Sequence, residues 1–505
     1  MTVCGWGRRQ GAAGPNPTLA HNISNLKIVS INVLIVSTNR CADPVPVMPL
    51  GACLAAGAAA KAGHRVGLVD LMYAKDPLQQ LKQGLKSIRP DVIGLSIRNI
   101  DNNNMRDPVA YYPDLIPILD TIRNNSEAPV VLGGPAVPIL PEQYLRLTGA
   151  LAAVTGDGET VFPRLLSAIS NNEPLDRVEG IAFLKDGDFQ LNNPSAQEVP
   201  DFSPLSVIDG WIDLKAYRSR SATVPVQTKR GCPYSCIYCT YPCIEGTGYR
   251  LAHPEEVAET IKRLVRLGLR DIEFVDNVFN SPYEHALAIC GRIAAARLRA
   301  RIQTVELSPL FIDEALLSAM EAAGFVGIGI TAESASDIVL GRLCKGFTAG
   351  DVHRAAQAVN RHDIPCLWIF MLGGPGETEE TVRETLDFAG RNIRRSDAVF
   401  FSLGIRIYPG TELEKIARRE GILQCPAAEM LAPVFYFSPA LDRKRTENML
   451  CQAVREHGNY FSSDSFNLPL LSTINRIGHF IGVKPPLWTK TRHIRRLLKL
   501  LRADL

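Results

Sequence analysis

The chain of 505 residues is short of several things, and each shortage narrows what it can do. No apolar run reaches the roughly 18 residues that cross a bilayer, so no transmembrane span is expected. An excess of one charge is missing as well. Lys and Arg number 55 against 52 Asp and Glu, a formal net of +3, which gives no bulk electrostatic case for nucleic acid as a partner. The 12 cysteines are sparse, and most stand alone, as Cys4, Cys41, Cys53, Cys290, Cys344, Cys366, Cys425 and Cys451 do. That spacing excludes a disulfide framework and suits a reducing cytoplasm. No phosphate loop of the form GxxxxGK followed by Ser or Thr occurs, the glycines of GDGE do not complete a GxGxxG, and no internal repeat is visible. Residues 1–26 lack the apolar core of a signal peptide and, despite Arg8 and Arg9, suit a disordered leader better than a transit peptide. Hydrophobic residues make up 46% and charged residues 21%, the balance of a globular enzyme rather than a disordered chain.

What is present is an alternation of apolar runs and helical stretches. Over residues 27–171, KIVSINVLIVSTN reads as a strand and PLGACLAAGAAAKAG as an alanine-rich helix stopped by Gly63. HRVGLVDL, DVIGLSIRN, PVVLGGPAV and ALAAVTGDG supply further strands, separated by helices such as DPLQQLKQGLKSI and ETVFPRLLSAIS. Near-continuous apolar strands between helices predict an open, flavodoxin-like parallel sheet whose ligands sit beyond the strand C-terminal ends. Residues 172–222 change character: VEGIAFLKDGDFQLNN reads as a hairpin turning at Asp186-Gly187, and EVPDFSPLSVIDGW as an interdomain connector. A second series follows over 223–420, with strands in VPVQTKRG, RDIEFVDN, ARIQTVEL, VGIGITAES, IPCLWIFML and AVFFSLGIRI. About six strand–helix units make a partial (β/α)6 barrel, short of the eight that close one. Residues 421–505 are expected to form a small, mostly helical cap ending in PPLWTKTRHIRRLLKLLRADL. On a helix Ile494, Leu497, Leu498 and Leu501 share a stripe, which fits packing on the barrel or docking on an anionic membrane surface. The fold class expected is α/β throughout.

The stretch GCPYSCIYCTYP, residues 231–242, places Cys232, Cys236 and Cys239 at the spacing CxxxCxxC behind the first strand of that second series. Thiolates bind soft metals and iron–sulfur clusters. A structural zinc site wants four closed ligands, and with no second CxxC or CxxH in the chain only Cys243 offers a fourth. Three free thiols packed in a core would sit poorly among Pro, Gly and polar residues. A four-iron cluster held by three thiolates keeps one iron open for an exogenous ligand and is the leading reading.

CPYSCIYC behind a first barrel strand resembles the signature of the radical S-adenosylmethionine (SAM) enzymes, with Tyr238 at the aromatic position before the last cysteine. The resemblance implies a 4Fe–4S cluster on the three cysteines and SAM chelated to the open iron. It further implies an electron donor such as flavodoxin or ferredoxin, and cleavage of SAM to a 5′-deoxyadenosyl radical. Cofactor contacts follow at the strand ends: Asp276 and Asn277 in FVDNVFN toward the SAM amino group, and Glu333 and Ser334 in TAESAS toward ribose and methionine. Gly373, Gly374, Pro375 and Gly376 in GGPGET resemble the segment that lies along the adenine. Arg406 in GIRIYPGTEL is a candidate to hold a carboxylate, with a salt bridge at the barrel mouth as the alternative.

The N-terminal sheet, fused ahead of such a barrel, resembles the cobalamin-binding domain of the B12-dependent subgroup. Ser96, Gly133 and Gly134 fit positions where the cobalamin nucleotide tail needs a small hydroxyl and close backbone approach, while Arg98 and Asn99 are polar candidates near the corrin. One departure stands out: RCADPVPVMP, after the first strand, contains no DxHxxG, so no histidine ligand to the lower cobalt face is expected. The resemblance implies methylation of an unactivated carbon on a small-molecule or lipid-like substrate. Cyclisation, rearrangement or oxidation without methyl transfer is the alternative enzyme chemistry, and a non-catalytic cobalamin- or metal-binding protein the alternative class. A peripheral membrane contact through the C-terminal helix would suit a lipid-like substrate.

Overall fold

The computed structural model describes residues 30–42, 45–193, 208, 210–463, 478, 480 and 482–490. The expected leader and the basic helix from Thr491 onward lie outside the described residues.

Five parallel strands open the first unit: β1 (Asn32–Ser37), β2 (Arg65–Asp70), β3 (Val92–Ser96), β4 (Val130–Gly133) and β5 (Ala152–Val154). They are joined by the antiparallel β6 (Ile181–Lys185) and β7 (Asp188–Asn192) in the order β2-β1-β3-β4-β5-β6-β7. Strand order reverses between β1 and β3, and the crevice beyond that point is where such sheets take their ligands. Apolar residues alternate to both faces. Val33, Ile35, Val131 and Phe162 pack on one side, and Leu34, Val36, Ile93 and Leu132 on the other. The hairpin that the sequence assigns to the interdomain link instead extends this sheet. Its turn residues Asp186 and Gly187 have φ of 52° and 91°, the positive values that a two-residue turn requires. Ile181, Ala182 and Phe183 are buried where β6 covers the edge of β5.

The second unit contains β8 (Val224–Val226), β9 (Lys229–Arg230), β10 (Arg250–Leu251), β11 (Asp271–Phe274), β12 (Arg301–Leu307), β13 (Phe325–Glu333), β14 (Cys366–Leu372), β15 (Ala398–Leu403), β16 (Ile405–Arg406), β17 (Phe435–Tyr436) and β18 (Tyr460–Ser462). Its main sheet runs β8-β11-β12-β13-β14-β15-β18, all parallel, so the barrel is open. Tyr460, expected from the sequence in a helical cap, pairs with Val399 and supplies a seventh strand. Three residues are too few to show a period, and the edge of β15 needs covering. Helices start where caps allow. Thr378 bonds the backbone of Thr381 to open Glu379–Asn392, and Asp76 accepts from the Gln79 amide at 2.9 Å to open Pro77–Ile88.

The two units share a core. Ile237, Val339, Leu343, Ile405 and Ile407 of the barrel belong to the same buried cluster as Leu34, Ile93 and Leu132 of the first sheet. Tyr217, ahead of the barrel, donates its hydroxyl to Asp70 at the end of β2 at 2.7 Å. That bond ties the end of β2 to the segment leading into β8, while the shared cluster joins the two sheets.

Candidate active site

The cysteine loop is framed before it begins. Lys229 and Arg230 pair antiparallel with Leu251 and Arg250, so the chain leaves and re-enters one short ladder on either side of Cys232, Cys236 and Cys239. Gly231 turns the chain with φ 85°, and a Cβ there would run into the carbonyl of Gly248, so glycine is required twice over. Glu245 then stitches the loop to its neighbours. It accepts from the Gly231 amide at 3.2 Å, from Gln227 at 2.8 Å and from Asn277 at 2.8 Å. Ile237 anchors the middle of the loop, donating its amide to Leu343 and accepting from Leu413.

All three thiols line a single cavity of about 790 Å³. Burial raises each of them, Cys239 to about 12, while the Lys345 ammonium pulls all three back down. Thiolates in this place therefore need cationic company, which a metal centre provides. Among the described residues no three His, Cys, Asp or Glu side chains are grouped as they would be around one metal ion. Cys243 is exposed and does not line the cavity, so a closed four-thiol zinc site gains no support from this arrangement. Three thiols spaced around a roomy cavity with an open side fit a cluster that leaves one iron free.

Beside the cysteines stands a partly buried triad on the cavity wall. The Tyr238 hydroxyl donates to Glu333 Oε1 at 2.8 Å, and Lys345 Nζ reaches the Tyr238 hydroxyl at 2.9 Å and Glu333 Oε1 at 3.2 Å. Burial opposes the charge on Lys345, but Tyr238, Glu333 and Cys236 outweigh it and raise the ammonium well above its usual value. Glu333 holds φ 61°, a left-handed conformation rare for a residue with a Cβ, where the register of β13 on β14 shifts. Such strain at a cavity wall marks a side chain aimed by the fold. Asn277 also lines the cavity, and its Oδ1 is buried without a partner, an acceptor facing a place where a donor would fit.

Other residues singled out from the sequence are placed differently. Asp276 is buried and spends its carboxylate on the Thr228 amide at 2.7 Å, the Thr228 hydroxyl at 2.5 Å and the Lys229 amide at 3.2 Å. It fixes the turn between β8 and β9 rather than facing the cavity. Ser334 is fully buried and bonded to the Thr385 hydroxyl, which ties β13 to the helix Glu379–Asn392. Gly373, Gly374, Pro375 and Gly376 do not line the large cavity. The amides of Gly373 and Gly374 are taken by Glu377 at 2.5 and 2.8 Å, and Phe437 covers Gly373 so closely that a Cβ would lie 2.6 Å from its ring. Arg406 is corrected most clearly. Its guanidinium meets Asp101 at 2.7 Å and the carbonyls of Ile407, Met430, Ala432 and Val434. With every donor engaged it cannot also hold a ligand carboxylate, and the salt-bridge alternative stands.

On the other side the cavity is walled by the first sheet, through Cys41, Asn99, Asp101, Asn102, Asn103, Asn104, Val109 and Tyr111. Arg98 is open to solvent yet surrounded by protein. Its guanidinium is pulled down by burial and attracted by Tyr241, Cys41 and Glu273, and it donates to Asn99 Oδ1 at 2.8 Å. A second cavity of about 250 Å³ opens at the switch point of the first sheet, lined by Gly51, Gly94, Ser96, Gly133, Gly134, Gly156 and Gly158 among others. Nothing lies within 4 Å of where a Gly133 Cβ would be, and Gly134 has φ 93° against the Ile97 backbone. A glycine-lined slot of this kind admits a flat or bulky group close to backbone, as a cobalamin tail requires. Barrel residues Gln227, Arg230, Ile244 and Glu245 close it from the far side. Arg230 bridges to Asp157 at 2.9 Å and Glu159 at 2.6 Å, and Arg250 pairs with Asp157, so the slot and the cysteine loop share one buried ionic network.

Glu306 and Lys345 were not singled out from the sequence, although both line the main cavity. Glu306 sits in ARIQTVEL, where the strand pattern marks apolar positions and says nothing of which acid faces inward. Lys345 follows a short helix in GRLCKGF with no flanking motif.

Residues 226–389 match the family model of the radical SAM superfamily, and residues 44–166 match that of the B12 binding domain. An uncharacterised methyltransferase of Pyrococcus horikoshii is 26% identical over 373 residues, covering 71% of this chain and 76% of that one. Tryptophan 2-C-methyltransferase of Streptomyces laurentii is 24% identical over 434 residues, covering 73% and 72%. Among solved structures, the radical SAM methyltransferase TsrM of Kitasatospora setae, with cobalamin and a 4Fe–4S cluster bound, superposes with a TM-score of 0.81 at 22% identity over 94% of this chain and 99% of that one.

Proposed function

Because the chain belongs to the radical SAM enzymes that carry an N-terminal B12-binding domain, we propose that it is a cobalamin-dependent methyltransferase acting on a carbon centre of a small molecule. One observation carries this reading: the cavity ringed by Cys232, Cys236 and Cys239 has the ligand end of the first sheet as its opposite wall. A substrate there is within reach of groups held by either domain, which is what methyl transfer between two cofactors and a substrate demands.

When bound, the cluster would supply the electron that cleaves SAM and the cobalamin would carry the methyl group. The chain's own part is positioning. Cys232, Cys236 and Cys239 would hold the cluster. Tyr238, Glu333 and Lys345 form a charged wall for SAM, with Asn277 offering an acceptor for its amino group. Ser96, Gly133 and Gly134 shape the slot for the cobalamin tail. The substrate volume is mixed in character. Val278, Phe347, Ile369, Met371 and Phe400 give it an apolar side, while Asn103, Thr331, Ser402 and Glu306 give it polar handles. That pattern suits a largely apolar small molecule with one or two hydrogen-bonding groups, in keeping with the aromatic amino acid named for one relative. The electron would come from a small redox protein of the flavodoxin or ferredoxin type. A reducing cytoplasm would keep the thiols competent. No helix among the described residues is long and apolar enough to cross a membrane.

Anaerobic purification and reconstitution test the reading. Iron and cobalt should both co-purify, and methyl-labelled SAM should leave its label in a small-molecule product. Replacing Cys232, Cys236 or Cys239 with alanine should abolish iron binding and reductive SAM cleavage together. A product formed without the label would sink the methyltransferase reading and leave the radical chemistry standing.

A further inference from the structure

The end of the barrel away from the cysteines carries a second kind of site. The strands β8, β11 and β12 begin there, and each is entered through a basic loop: Arg218 and Ser221 before β8, Arg270 before β11, and Arg299 ahead of Arg301 at the start of β12. With the segment 482–485 these loops enclose a recess of about 320 Å³. Its wall presents Arg218, Arg270, Arg299, Arg301 and Lys484 against one carboxylate, Asp271. Asp271 is committed to Arg301 at 3.0 Å, and Arg218 reaches only the Gly268 carbonyl at 3.3 Å. Among the described residues no carboxylate pairs with Arg218, Arg270, Arg299 or Lys484. Five cations less one anion leave the wall at +4, whereas the whole chain carries +3. Like charge gathered around one hollow creates a positive potential that draws anions to it.

An independent observation points the same way. Ser221 lines the recess, is 3% exposed, and has no hydrogen-bond partner for its hydroxyl. Buried hydroxyls are almost always paired, so this one calls for a ligand. Guanidinium forks and a hydroxyl donor lining one recess match the several oxygens of a tetrahedral oxyanion, and a wall of four net charges favours a dianion.

We propose that this recess binds a phosphate group, presented either by a soluble phosphorylated molecule or by the head group of an anionic lipid. The site lies apart from the cysteine cavity and does not depend on the reading of that cavity.

The full-length reconstituted protein provides the test. Pyrophosphate should raise its melting temperature saturably, while chloride at matched ionic strength should not. The exposed pair Arg270→Glu and Arg299→Glu should weaken that effect by about tenfold or more, and Ser221→Ala should weaken it without reversing local charge. SAM cleavage should be unchanged in these variants. Sedimentation with phosphatidic acid vesicles, but not phosphatidylcholine vesicles, and its loss in the double variant would assign the phosphate to a lipid. A pyrophosphate response without vesicle binding would assign it to a soluble molecule. The proposal falls if neither pyrophosphate nor vesicles bind, or if the arginine variants respond as the wild type does.

Discussion

Burial pushes the Glu306 carboxyl up to about 8, with Glu333 and Glu273 adding to the shift and Lys345 opposing it. At neutral pH this side chain in the main cavity is therefore mostly protonated, a donor rather than an anion, and it can present an O–H to a substrate acceptor. The same shift has a stability signature. An acid whose value rises from 4.5 unfolded to about 8 folded keeps its proton in the folded chain while the unfolded chain releases it. Stability is thus unaffected below pH 4.5, declines as pH rises through that window, and levels off above about 8. Glu306→Gln mimics the neutral form and removes this slope. Urea midpoints of wild type and variant should converge near pH 5, and the variant should gain on the wild type by pH 8. Curves that stay parallel across the range would show that the carboxyl is not held neutral by the fold.

At the scale of elements, the arginine at the end of β16 does more for the architecture than for the chemistry. Arg406 and Asp101 are both buried, and they join the barrel to the loop after β3. Removing one member of such a pair strands the other in a low-dielectric interior, at a cost of about 3–5 kcal/mol. Arg406→Met should lower unfolding free energy by that order in urea titration, and Asp101→Leu in the same background should recover part of it. A neutral effect of Arg406→Met alone would mean that the tie is not formed in solution. This pair also shows where sequence reading runs out. Strands β1 to β5 and β11 to β15 are legible because β-rich stretches centred on apolar residues recur between helices, and the cysteine loop because three thiols within eight positions have few explanations. Strand ends are different. FVDN, TAES and GIRI each place a polar residue at a strand terminus, but whether it faces the cavity or the packing behind it depends on a rotation of one position. Asn277 and Glu333 turn toward the cavity, and their neighbours Asp276 and Ser334 turn away. Nothing within one sequence distinguishes the members of such a pair. Lys345 and Glu306 were hidden for a related reason, since they converge on the cysteines only through tertiary placement.

For the whole molecule, the question is whether its two cofactor places are separable, since one network of Asp157, Glu159, Arg230 and Arg250 touches both. Gly133 allows an answer. It ends β4 at the mouth of the slot, and the space its side chain would enter contains no protein atom within 4 Å. A leucine there would occupy the volume of the tail and leave the core that folds the sheet untouched, so it acts by exclusion rather than by unfolding. The cysteine loop is held by Gly231, Glu245 and Ile237, and none of their contacts involves Gly133. Gly133→Leu should therefore lower cobalt content by about tenfold or more, keep iron and reductive SAM cleavage near wild-type levels, and stop transfer of the methyl label. Cobalt retained at full occupancy would mean that the slot is not where the tail lies. Iron lost in step with cobalt would mean that the ionic network makes the two sites one cooperative unit, so that cluster assembly waits on the corrin.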